Sequence, residues 1–104
     1  MQEEDFMAQN HICELCNRNV SIITKHHLIP LQKGGKKFET LSLCKTCHTQ
    51  IHALFTNREL ATHYHTLESL KRDKKIIKFL RFIENVPSDS HVEIKKSRHV
   101  RVSS

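Results

Sequence analysis

The sequence predicts a small α+β domain, in which a zinc-stapled two-stranded hairpin runs into a helix and further C-terminal helices follow. Three observations carry this expectation. The four cysteines fall in two C-x-x-C pairs, Cys13 with Cys16 and Cys44 with Cys47. Between the pairs lie a β-branched run, a Lys/Gly-rich stretch and a second, alternating run, a length that suits a β-hairpin. Beyond the second pair, apolar residues return at helical spacing, most clearly at Ile76, Phe79, Leu80 and Ile83.

At 104 residues a single domain is expected. A domain of this size buries a limited core and commonly needs a metal or disulfide staple. No N-terminal run reads as a signal peptide, and no apolar stretch is long enough to span a membrane, so a cytoplasmic location is expected. In that compartment paired C-x-x-C motifs read as a zinc site rather than as disulfides. Four thiolates leave no open coordination position, which makes such a zinc structural. The net charge of +6 attracts nucleic acid, anionic membrane and acidic proteins alike. With one Tyr and no Trp, base stacking is a poor candidate for the main binding device.

Taken in order, residues 1–10 admit either a short leading helix or a frayed end. Cys13-Glu-Leu-Cys16 forms the first knuckle, and Asn17-Arg18-Asn19 signals a turn. Val20 to Thr24 is β-branched and predicts a strand running toward His26 and His27, with Pro30 ending it. Gln32 to Lys37 is a loop, and Thr40 to Leu43 alternates as the return strand. The second knuckle leads into a helix with Ile51, Leu54 and Phe55 on its apolar face. Thr56-Asn57 marks a stop and a new N-cap with Glu59 in the first turn, and Thr66 is a further cap. Pro87 closes the last predicted helix. The expected organisation is a core over about 11–56, a helical cover over about 57–86, and a basic tail over 87–104 that is either a nucleic-acid arm or a disordered end.

The histidines bring chemistry to this frame. His48 and His52 are four apart, so on a helix they share one face. Upstream, His26 and His27 are adjacent, and a strand would turn them to opposite faces, which suggests different tasks. Neutral imidazoles ligate metal ions, and one can also act as a general base near neutral pH. His11, His63, His65, His91 and His99 have no evident partner in the sequence.

Cys-x-x-Cys, then His-His-Leu-Ile-Pro, then Leu-Cys-x-x-Cys-His-x-x-x-His together resemble the HNH nucleases of the His-Me finger, or ββα-metal, superfamily. The resemblance covers roughly residues 11–65. It implies a hairpin packed on a helix with a divalent cation between them, and hydrolysis of DNA phosphodiester bonds to 5′-phosphate and 3′-hydroxyl ends. It makes His27 the general base and His26, His48 and His52 the ligands of a catalytic Mn, Mg, Ni, Co or Zn. Three imidazoles favour Mn, Co, Ni or Zn over the harder Mg. One departure stands out. The family's Asn is expected just before Leu41, where this chain has Glu39 and Thr40. The Thr40 hydroxyl can brace backbone, and Glu39 can offer an oxygen ligand or face solvent.

Lys33, Lys36 and Lys37 sit in a loop whose ends converge on the proposed site, where they either contact phosphates or simply solvate a hairpin turn. The alternative to a nuclease is a non-catalytic zinc module that binds nucleic acid or protein. A decayed nuclease would keep the cysteines and lose site histidines, and here all four histidines are present. The sequence leaves DNA versus RNA, and monomer versus homodimer, open.

Overall fold

A computed structural model of the chain describes residues 10–30 and 40–103. Two short antiparallel pairs come first. Strand β1 (His11–Ile12) pairs with β2 (Asn19–Val20), and β3 (Ile23–His27) pairs with β4 (Thr40–Cys44). Helices α1 (Lys45–Leu54), α2 (Asn57–His63), α3 (Leu67–Arg72), α4 (Lys74–Ile83) and α5 (Arg98–Ser103) follow. This is the small α+β architecture that the sequence predicts, with the hairpin leading into its helix.

The β-branched run does not form one strand. Val20 belongs to β2, and β3 begins only at Ile23. The break is at Ser21, whose N–H donates to Asp89 Oδ1 at 2.9 Å. The first knuckle sits in the turn between β1 and β2, where Asn17 adopts φ 61°. Asn tolerates that left-handed conformation better than most residues.

The register of the second hairpin decides what meets α1. His26 lies opposite Leu41, Thr24 opposite Leu43, and His27 opposite Thr40. Opposed residues of an antiparallel pair share a face. One face therefore carries Thr24, His26, Leu41 and Leu43, and Leu41, Leu43 and His26 are buried there. Glu14 ties the first knuckle to this hairpin: its N–H donates to Ser42 O at 2.9 Å and its Oε2 accepts the Ser42 N–H at 2.7 Å.

Each cover helix has a local reason to start. Thr56 and Glu59 form a capping box for α2, and Thr66 with Ser69 does the same for α3. Asp73, which the sequence reading did not single out, ends α3 and caps α4 through the Lys75 and Ile76 N–H groups. Asp73 Oδ2 also accepts the Tyr64 hydroxyl at 2.8 Å. Leu60, Leu70, Ile76, Phe79 and Ile83 from the cover share one core with Leu43, Ile51 and the cysteines.

The run expected as a basic tail folds back on the domain. Ser97 N–H donates to the Ala53 carbonyl at 2.8 Å, near the end of α1, where carbonyls lack helical partners. Val100 on α5 is buried, and His99 Nε2 lies 2.9 Å from Glu59 Oε1. His99 therefore has a partner in α2 that sequence spacing could not reveal.

Candidate active site

Two clusters of potential metal ligands occur among the described residues: Cys13, Cys16, Cys44 and Cys47, and His26, His48 and His52. Within each cluster the candidate ligand atoms all lie within 4.8 Å of one another.

The cysteine cluster joins two copies of one turn. Cys16 N–H donates to Cys13 Sγ at 3.5 Å, and Cys47 N–H donates to Cys44 Sγ at 3.4 Å. Cys16 and Cys44 sulfurs stand 4.0 Å apart. Tetrahedral zinc with bonds of about 2.3 Å would set sulfurs about 3.8 Å apart, so the spacing fits. All four cysteines are free thiols. Crowding makes their ionisation uneven. Cys13, Cys44 and Cys47, with Arg18 contributing, hold the Cys16 thiol far below the ordinary thiol range. The Cys44 and Cys47 thiols are pushed far above it, first by Cys13 and then by Cys16. Four thiolates this close need a cation to coexist, and the cluster is positioned to form a zinc site. Arg18 was missed by sequence reasoning. Its Nε donates to Cys16 Sγ at 3.3 Å and its Nη1 to Val86 O at 2.9 Å, which ties the sulfurs to the end of the helical cover.

The histidine cluster straddles β3 and α1. The ring centroids form a near-equilateral triangle: His26 to His48 5.2 Å, His26 to His52 5.2 Å, and His48 to His52 5.1 Å. His26 is fully buried, and neither ring nitrogen has a hydrogen-bond partner. Leaving a buried polar group unsatisfied costs about 1–3 kcal/mol. A cation among the three rings would satisfy one of the two nitrogens, and the three convergent imidazoles fit a metal. Burial, with His52, His48 and His27 nearby, pulls the His26 imidazole down to about 3. His48 and His52 shift downward too, chiefly through burial. All three are thus held in the neutral form that ligates metal.

Thr24 fixes how His48 presents itself, and sequence reasoning missed it. The Thr24 hydroxyl donates to Leu43 O at 3.2 Å and lies 2.7 Å from His48 Nδ1. A hydroxyl has one proton. With that proton on Leu43 O, His48 Nδ1–H donates to Thr24, and Nε2 keeps the free lone pair. The signal was present in the sequence, because Thr24 stands two residues before His26 and so on its face.

His27 is half-buried on the opposite face of β3 and takes no part in the triangle. Thr40 stands directly across the hairpin from it. Glu39, Lys33, Lys36 and Lys37 lie outside the described residues. A cleft of about 410 Å³ reaches His48 and His52 between α1 and the segment around Ile94 and Lys96. No helix among the described residues is long and apolar enough to cross a membrane.

A family model described as HNH endonuclease matches residues 13–54, a span that contains both clusters. The chain is 42% identical over 86 residues to the uncharacterized protein YisB of Bacillus subtilis (strain 168), which covers 83% of this chain and 86% of that protein. No solved structure matches.

Two outcomes are expected from this geometry. Cys44→Ser should abolish stoichiometric zinc binding, seen by elemental analysis, and leave the chain largely unfolded by circular dichroism. Structural zinc contributes on the order of 10 kcal/mol in finger peptides, far more than a small core can replace. A folded Cys44→Ser protein with unchanged melting temperature would remove the zinc assignment.

The second outcome is a pH dependence. Above pH 6.5, the ordinary histidine value, His26 is neutral both folded and unfolded. Between 6.5 and about 3 the unfolded chain takes up a proton that the folded chain refuses, so stability falls as pH falls. With one equivalent of zinc bound, urea unfolding at pH 7 and pH 5 should show a loss of about 2 kcal/mol from His26. His26→Phe should lose less by that amount. Equal losses in the two proteins would contradict the buried neutral imidazole.

Proposed function

Because this chain belongs to the HNH endonuclease family, we propose that it is a metal-dependent endonuclease hydrolysing phosphodiester bonds of DNA. The observation that carries the reading is His26, a buried ring with no hydrogen-bond partner at either nitrogen that packs against His48 and His52, while His27 stands on the other face of the same strand.

The chain's residues divide the work. His26, His48 and His52 would hold one divalent cation through neutral nitrogens, and Thr24 keeps His48 in the ligating tautomer. When bound, that cation supplies positive charge to the transition state at phosphorus and to the departing 3′ oxygen. His27 accepts the proton of a water as its oxygen attacks phosphorus. The P–O3′ bond breaks, leaving a 5′ phosphate and a 3′ hydroxyl that takes its proton from solvent. A histidine base removes the need for a second ion to activate the water. Thr40 is proposed to brace the segment opposite His27, in the place of the family's Asn, with Glu39 beside it. Lys33, Lys36 and Lys37 are proposed to contact phosphates without reading sequence. Three imidazole ligands favour Mn, Co, Ni or Zn as the working metal. Reduced thiols at the cysteine cluster agree with work in the cytoplasm.

Plasmid nicking across a metal titration tests the reading. His27→Ala should keep zinc, fold and DNA binding, and lose roughly two to four orders of magnitude in cleavage, the usual contribution of a positioned base. Cleavage at the wild-type rate would refute the assignment of His27. Wild type that binds DNA yet cuts nothing with Mg, Mn, Co, Ni or Zn would make the non-catalytic zinc module the better reading.

Thr24→Val tests the support of the metal ligands. It removes the hydroxyl and nearly preserves shape. Affinity of the histidine cluster for Co or Mn should fall about 10- to 100-fold, the usual effect of losing such a support, with cleavage restored by excess metal. Unchanged metal affinity would remove the role given to Thr24.

A further inference from the structure

The cleft that reaches His48 and His52 is also lined by Thr24, Lys45, Thr49 and, from the C-terminal strap, Ile94 and Lys96. Its lining is one-sided in charge. Two lysines line it, from the first turn of α1 and from the strap, and among the described residues no carboxylate does. The adjoining cleft of about 560 Å³ shares Lys45 with this one but differs in that Asp89 and Glu93 stand on its wall. Lys45 and Lys96 are exposed, and among the described residues neither has a carboxylate partner. A concave surface with unpaired cations of one sign concentrates anions.

The strap does not behave as a loose arm here. Ahead of the lysine, Asp89 accepts the Ser21 N–H and Arg18 holds the Val86 carbonyl. Immediately after it, Ser97 N–H is bonded to Ala53 O at the end of α1, and Val100 is buried. Lys96 is therefore carried on a backbone pinned at both ends, beside two of the cluster's histidines.

We propose that this cleft is a phosphate subsite for the DNA strand, in which Lys45 and Lys96 grip a backbone phosphate next to the one being cut, so that the C-terminal strap is one wall of the nuclease site. The inference rests on the nuclease reading above and adds to it the C-terminal segment. Such contacts position the strand and carry no sequence information.

The test is binding of a labelled duplex to the zinc-loaded 104-residue chain without added catalytic metal, followed across salt. Wild type is compared with Lys45→Gln, Lys96→Gln and, as a control, Lys78→Gln, an exposed lysine of α4 outside the cleft. Each cleft lysine removed should lower the slope of log affinity against log salt by about 0.9, and weaken unrelated sequences alike. Zinc content and melting temperature should not change. In nicking assays KM should rise with kcat nearly constant, which a merely structural role would not produce. If both cleft variants match the control in slope and affinity, or if wild type binds no duplex, the subsite is wrong. If the cleft variants lose slope while wild type cuts nothing with any metal, the subsite stands and the nuclease reading falls.

Discussion

Everything near the histidines depends on the gathering of four sulfurs around one point. Cys44 is the hinge of that constraint. It is the last residue of β4, the N-cap of α1 and a member of the sulfur cluster. The direction in which the return strand ends, the direction in which the helix starts and the attachment of the first knuckle are therefore settled by one side chain. A loop in place of that junction would leave the helix free to swing. With it, the first turns of α1 are held against β3, and His48 and His52 arrive opposite His26. The cysteine cluster contains no histidine, yet it sets the angle at which the histidines converge.

The second constraint is a burial that works against stability. His26 is fully buried against the rings of His48 and His52, with its polar atoms unsatisfied by the protein itself. A leucine there would pack at no such cost. The same burial keeps the ring neutral and so ready to ligate. His27, one residue on, is half-buried and outside the triangle. The period of two along a strand thus separates two chemically identical side chains into different surroundings.

What was legible in the sequence follows from what is local. The knuckles, the return strand, the Thr56 and Thr66 caps and the shared face of His48 and His52 all depend on spacings of two to four residues. So did the expectation that His26 and His27 part company. Three features escaped because they join distant positions. Ser21 leaves the expected strand through a bond to Asp89, 68 residues away. Arg18 reaches both the sulfurs and Val86. His99 meets Glu59 only because the chain turns back across α1. Asp73 and Thr24 were missed for another reason. Each is an ordinary polar residue whose role is visible only once its partner's geometry is known.

The placement of the strap has a consequence for how the molecule is made. Synthesis proceeds from the N-terminus, so both knuckles, the hairpin and α1 emerge well before Lys96. At roughly 5–20 residues per second, seconds separate His52 from the strap. A nascent chain can therefore gather its sulfurs and assemble the three histidines while one side of the cleft is still open. The bond from Ser97 to Ala53 comes late, and it joins almost the last described segment to the end of the helix that bears the ligands. The centre of the molecule can be finished before its edge, and the cleft takes its final shape only after the strap has been made.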